Sequence, residues 1–347
     1  MSFRVRLLLA CAIAVGAGAY GSLVIAGAAI QTNGETSSAG RIYFLDISHG
    51  GRVLSARPDG ADVQVISAGR APGPDGVAVL LDPPGDGPPT GRLYWTTMGR
   101  VSENDGTIES ADLSGLTPRT LVPAGGTFTP KQIKTDGVKL YWADREGMRI
   151  MRANRDGTNI ETLVETGHGD ADRRDARNWC VGIALDSPRG EIYWTQKGTG
   201  GNGRIRRAPI AIPAGETAAT RTDIETVFED LPEPIDMDID LATRTMYWTD
   251  RGDAPRGNTV SRAPMDSPAG SKAAPQILFG GLREGIGIAL DSDHARMFVT
   301  DLGGNVYGAS LDGSTHTAIL TAQGTLTGIA YTAVDALQPF RYTRQSP

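Results

Sequence analysis

Six short segments of this chain repeat one pattern, an aromatic pair or its near equivalent inside a run of strand formers. They are RIYFLD from Arg41, RLYWTT from Arg92, KLYWAD from Lys139, EIYWTQ from Glu191, TMYWTD from Thr245 and RMFVTD from Arg296. The leading aromatics are Tyr43, Tyr94, Tyr141, Tyr193, Tyr247 and Phe298, at steps of 51, 47, 52, 54 and 51 residues. A repeat unit of roughly 40 to 50 residues is the size of a propeller blade. In a strand, neighbouring side chains point to opposite faces, so Tyr247 and Trp248 face opposite ways. A sheet with one wet face has no use for that arrangement. A sheet stacked between two others does.

Each repeat supplies further strands. Ahead of the aromatic segment stands a Gly-Ile-Ala-Leu-Asp type run: VAVLLD at 77–82, GIALD at 182–186, DMDID at 236–240 and GIALD at 287–291. After it comes a segment with an Asp-Gly turn, such as RIMRANRDGTN at 149–159, then a short outer strand such as IETLVE at 160–165. Asp-Gly suits a tight hairpin that needs positive φ. The fold expected is all-β, a six-bladed β-propeller of four strands per blade. The chain opens on an aromatic strand without its inner partner and ends on LTGIAY (326–331) without an aromatic partner. Pairing the two in one mixed blade closes the ring and removes open sheet edges.

Composition agrees: Gly 45 and Pro 21 are high, charged residues are 21%, and no long run reads at helical period. The net charge of -6 provides no basic stripe, which argues against nucleic acid as a partner. The N-terminus is a separate object. Arg4 and Arg6 precede an uncharged stretch from Leu7 to Ile30, which reads as a signal peptide or an N-terminal membrane anchor over 1–30. A polar linker follows over 31–40, then the propeller over 41–335 and a C-terminal tail over 336–347. Either reading of the leader places the folded part outside the cytoplasm, secreted, periplasmic or tethered, with the membrane touched only through that segment. Cys11 lies in the leader, so Cys180 stands alone in the remainder and reads as a small buried apolar residue.

The repeats resemble the YWTD (class B) repeats of low-density-lipoprotein-receptor-type proteins, from residue 41 to about 335. The motif is complete only at Tyr247-Trp248-Thr249-Asp250; Tyr94-Trp95, Tyr141-Trp142 and Tyr193-Trp194 keep the aromatics, and Tyr43 and Phe298 open looser copies. The resemblance implies that the motif acid is structural and ties blades together, which falls here on Asp46, Asp144, Asp250 and Asp301. Thr97 and Gln196 replace the acid, so no such tie is implied there. Receptors of that family flank their propellers with disulfide-rich modules, which have no counterpart in a chain with two cysteines. The resemblance therefore implies the fold rather than endocytic receptor function.

Loops of one rim are short and alike, as in DSPRG (186–190) and DLATR (240–244); those of the other are long and unlike, as in TGHGDADRRDARNW (166–179). Function concentrates on variable loops held by a rigid scaffold. Residues just before each innermost strand are expected to ring the channel mouth on that face: Asp75, Lys131, Gln132, Asn178, Trp179, Glu233, Asp236, Arg283 and Glu284. Such groups suit a small polar ligand, or they form ordinary ion pairs around a solvated channel. Asp75, Asn178, Glu233, Asp236 and Glu284 also supply the oxygen types that calcium takes, although Lys131 and Arg283 oppose it. No cofactor is otherwise expected. Gly198, Gly200 and Gly203 fit a dinucleotide pattern, but a strand follows where a helix is required.

Two functions follow. One is a non-catalytic recognition scaffold that binds a protein, glycan or small polar ligand through the long-loop face. The alternative is a hydrolase or lyase using the channel mouth, by architectural analogy with six-bladed lactonases and strictosidine-synthase-like proteins. For the leader, a C-terminally tagged chain is expected outside the cytoplasm, either shortened by roughly 20 to 30 residues or full length in the membrane fraction. Full-length soluble protein in the cytoplasm is the opposite result.

Overall fold

Each innermost strand must approach its neighbours edge to edge around an axis, and the sequence provides for this with small residues. The computed structural model describes residues 40–69, 73–85, 87–100, 102–266 and 275–334. The expected leader, the linker up to residue 39 and the tail lie outside the described residues. Six antiparallel sheets of four strands are present among the described residues. Blade 1 joins Leu326–Thr332 to Arg41–Asp46 and two further strands, so the mixed blade closes the ring as expected. Blades 2 to 6 begin with innermost strands Pro74–Leu81, Pro130–Thr135, Cys180–Asp186, Pro234–Asp240 and Gly285–Asp291. Their aromatic strands are Gly91–Thr97, Lys139–Asp144, Glu191–Gln196, Thr245–Asp250 and Arg296–Asp301.

The paired aromatics are core, as the alternation requires. Trp248 shares a cluster with Tyr193 of the preceding blade, while Tyr247 packs with Val299 of the next. The rule runs round the ring: Trp194 with Tyr141, Trp142 with Tyr94, Trp95 with Tyr43, and Phe44 with Phe298 across the closure. Cys180 is fully buried and its thiol is pushed up to about 12 by that burial. It belongs to the core and is unsuited to nucleophilic work.

The strand starts differ from the sequence reading. The innermost strands of blades 2, 4, 5 and 6 begin two to three residues earlier than the Gly-Ile-Ala-Leu type run, with a register irregularity before the fourth residue, while that of blade 1 begins at Leu326 as read. The third residue is Gly76, Gly182, Gly287 or Gly328 in four blades. A Cβ at any of these would collide with backbone of the following blade, at Lys131, Ile235, Thr327 and Asp75 respectively. Gln132 and Asp236 occupy the same place in blades 3 and 5.

In blades 2, 4, 5 and 6 the tie to the next blade is made by the motif threonine, while blade 3 has Ala143 there. Thr195 Oγ1 accepts from Gly182 N at 2.7 Å and donates to Ile235 O of blade 5 at 2.6 Å. Thr96 does the same toward Lys131 O, Thr249 toward Ile286 O and Thr300 toward Thr327 O. Blade 1 has Leu45 at that position, and Thr327 Oγ1 donates to Pro74 O instead, at 2.9 Å. The motif acids, expected to tie blades, fasten the link that enters their own blade. Asp46 accepts from Thr325 N, Asp144 from Thr129 N, Asp250 from Glu233 N and Asp301 from Arg283 N. At Gln196 the tie survives with reversed polarity, its Nε2 donating to Arg177 O at 2.7 Å. Thr97 Oγ1 is buried without a partner among the described residues.

Thr195→Val keeps the shape and strands a buried N–H and C=O, so it is expected to lower unfolding free energy by about 1 to 3 kcal/mol in denaturant titration. Thr195→Ser keeps the hydroxyl and is expected to recover most of that loss.

Candidate functional site

The long-loop face is built from the starts of the innermost strands and the loops that follow the aromatic strands, because antiparallel pairing brings these to one rim. The second residue of each innermost strand forms a layer at the axis: Asp75, Lys131, Val181, Ile235, Ile286 and Thr327. None is more than 8% exposed. Lys131 Nζ lies 2.7 Å from Asp75 Oδ1 across the blade boundary, and Val181, Ile235 and Ile286 pack together with Leu302 against them. Burial pulls the Lys131 ammonium below its usual range even with Asp75 beside it. The mouth is closed by this layer, where a solvated ring was expected.

The expected mouth residues divide into three groups. Asp75, Gln132 and Asp236 lie inside the innermost strands and are buried. Glu233 and Glu284 lie on the rim above and belong to an ion-pair chain: Lys197 to Glu233 at 2.7 Å, Glu233 to Arg251 at 3.4 Å, and Arg251 to Glu284 at 2.6 Å. Arg283 is exposed on the same rim. Asn178 is spent on the link, its Nδ2 donating to Asp172 O and its carbonyl accepting from Thr166. The five proposed calcium donors are therefore dispersed, and no three acidic, His or Cys side chains converge on one point among the described residues.

Trp179 does line the rim. The short helix Gly169–Arg173 and the turn Ala176–Asn178 deliver it, and its indole N–H donates to Arg173 O at 2.8 Å. The ring stays half-buried. Arg145 of blade 3 stands 5.1 Å from its centroid and Lys197 of blade 4 stands 5.3 Å away. Arg173 in turn lies over Phe128 at 4.2 Å, beside a cleft of about 360 Å³ lined by Phe128, Gly167, His168 and Arg173.

Arg145, Lys197 and Arg251 were missed by the sequence reading, yet they share one signal. Each immediately follows the motif's fourth residue, where the other blades have Ile47, Met98 and Leu302. All six are half-buried around the mouth. This one position of the repeat thus carries a cation in blades 3 to 5 and an apolar side chain in blades 6, 1 and 2.

Deeper on the axis, Lys134 of blade 3 meets Asp238 of blade 5 at 3.4 Å. These blades are not neighbours, so the pair spans the channel. Asp236 sits beside them, accepting from Met237 N at 2.8 Å and from Ile288 N of blade 6 at 3.0 Å. Burial pushes its carboxyl up to about 7, against the pull of Lys134 and those two N–H groups.

No protein-family model matches the chain. It is 41% identical over 318 residues to "Low-density lipoprotein receptor-related protein 1" of Pyricularia oryzae, across 85% of this chain and 99% of that protein. The chain belongs to the low-density-lipoprotein-receptor-related YWTD-propeller family. It is also 42% identical over 254 residues to "3-hydroxyacyl-CoA dehydrogenase-like protein LAM1" of Cochliobolus heterostrophus, across 70% of this chain and about half, 52%, of that protein. Among solved structures, the nidogen/laminin complex contains a chain that superposes with a TM-score of 0.65 at 18% identity, over 85% of this chain and 100% of that one. That likeness shows the same fold.

A carboxyl whose folded pKa lies above its unfolded value holds its proton better when folded. Its contribution to stability is therefore fullest below the ordinary value of about 4 and falls as pH rises through about 7. Carboxyl-carbon NMR is expected to show Asp236 titrating near that upper value, and Lys134→Met to move it higher. Asp236→Asn provides the assignment and is expected to flatten this part of the stability–pH slope. A midpoint near the ordinary carboxylate range contradicts this account of the axis.

Proposed function

We propose that this chain is an exported recognition propeller that binds a protein partner through the face carrying Trp179. The observation behind this is the contrast between two levels of one face. At the axis the mouth is closed by a buried layer, while above it Trp179, Arg145, Lys197 and Arg251 stand half-buried on rigid blade ends. Tryptophan and arginine are over-represented among the residues that dominate binding energy at protein interfaces, and here ion pairs and backbone bonds fix them in advance, which lowers the entropy lost on binding. The related fold in a structure titled as a nidogen/laminin complex supports a protein partner. A glycan or small polar ligand is better served by an open concavity. The export half of the reading rests on the uncharged stretch after Arg4 and Arg6.

The closed layer weighs against a hydrolase or lyase at the mouth, because a substrate entering from this face meets Val181, Ile235, Ile286 and the Lys131–Asp75 pair before any axial carboxyl. The dehydrogenase-like name belongs to a protein of which this chain spans about half.

The test places a photo-crosslinking amino acid at Trp179 and, separately, at Leu116, which is 81% exposed on the opposite rim. In the source organism's extracellular fraction, a discrete adduct is expected from position 179 and none from 116. Arg145→Glu with Lys197→Glu is expected to reduce that adduct at least tenfold while leaving the melting temperature of the propeller close to wild type. Equal labelling from both positions, or none from either, overturns the assignment of the face.

A further inference from the structure

The repeats provide an internal comparison that points to a second site, on the rim opposite Trp179. In blade 1, Arg41 stands two residues before the motif tyrosine, and Ser55 is the cross-strand partner of Tyr43. Arg41 Nε donates to Ser55 Oγ at 2.9 Å, and its Nη1 pairs with Asp62 at 2.9 Å. Asp62 follows Ser55 by seven residues, two past the turn glycine Gly60. Blade 2 repeats the arginine, the serine and the turn: Arg92, Ser110 opposite Tyr94, and Gly115. At the position of Asp62 it has Thr117.

The missing carboxylate leaves its partners unspent. Ser110 is 1% exposed, and its Oγ has no hydrogen-bond partner; Nη1 of Arg92 is likewise buried and unpartnered. Both line a cleft of about 590 Å³ between blades 2 and 3. Arg155 enters from blade 3, where it acts on the Tyr94 hydroxyl, and Arg119 flanks the opening. None of these three arginines makes an ion pair among the described residues.

Three carboxylates also line the cleft, and each is held by its own turn. Asp112 accepts from Ser114, Leu116 and Thr117, Asp156 from Thr158, and Asp82 from Thr90. Each carboxylate thus has at least one oxygen engaged within its own loop, whereas Arg92 Nη1 and Ser110 Oγ are buried without a partner. Buried donors without partners are uncommon and call for a ligand or an ion, and a planar guanidinium matches a carboxylate or phosphate in a bidentate fork.

We infer that the cleft between blades 2 and 3 binds a small molecule through its carboxylate or phosphate group, with Arg92 and Ser110 engaging the oxyanion where blade 1 uses Asp62. Arg155 covers the bound group from the neighbouring blade.

The test measures thermal unfolding of the full chain in inorganic phosphate, in acetate and in chloride at equal ionic strength. Wild type is expected to melt about 3 °C higher once phosphate or acetate well exceeds its dissociation constant. A response to phosphate alone assigns a phosphoryl ligand, and one to acetate alone assigns a carboxylate. Arg92→Leu is expected to abolish the rise, and Thr117→Asp to abolish it by placing a carboxylate beside Arg92. Should Arg92→Leu fail to fold, Arg155→Met is expected to reduce the rise. No anion-specific rise in wild type, or an equal rise in every folded variant, overturns the site.

Discussion

The whole ring depends on how closely one innermost strand can approach the next. At Gly76, Gly182, Gly287 and Gly328 the absent Cβ lets the next blade's backbone come into contact. At the first three the motif threonine then connects the two: its hydroxyl accepts from its own blade and donates to the following one, as Thr195 does between Gly182 and Ile235, while at Gly328 Thr327 makes the connection to Pro74. Such a hydroxyl has its donor and acceptor capacity committed at once, and it is fully buried. Blade order, spacing and the tightness of the axis follow from this contact. So does the closure of the mouth, since blades this close force the side chain just before each glycine into one crowded layer.

Much of the fold was legible in the sequence because the paired aromatics carry their own explanation. Tyr247 and Trp248 required two buried faces, and they have them. The mixed blade was equally plain from the unmatched ends. The threonine tie was less so, since Thr beside Trp in a strand has an ordinary reason in β propensity; its second partner lies in another blade, beyond any local pattern. Gln196 illustrates the same limit. Read as a lost acid it predicts a lost tie, but an amide can donate where a carboxylate accepts, and it meets Arg177 O.

The mouth was less legible because strand boundaries decided it. Asp75 and Asp236 were placed ahead of their strands, and a shift of two or three residues moves them from a wet rim to a buried axis. The true rim residues could have been found by aligning the repeats one position past the motif, where Arg145, Lys197 and Arg251 fall in consecutive blades. A repeat protein announces its scaffold through what its units share. Its functional positions are among those where the units differ.

That contrast separates packing from recognition without any outside comparison. Where five blades have room for variation and one holds a charge, the charge is either paired or kept for something else. Arg41 is paired, by Asp62 and Ser55. Lys197 is paired by Glu233 and still presents its stem and charge to the face of Trp179. Arg92, in the same place as Arg41 one blade on, has neither partner. Burying an unsatisfied guanidinium N–H and a serine hydroxyl together costs free energy that blade 1 avoids with a single carboxylate. A ring built from near-copies makes that difference a property of blade 2 alone, because backbone, turn and neighbouring aromatics are held in common.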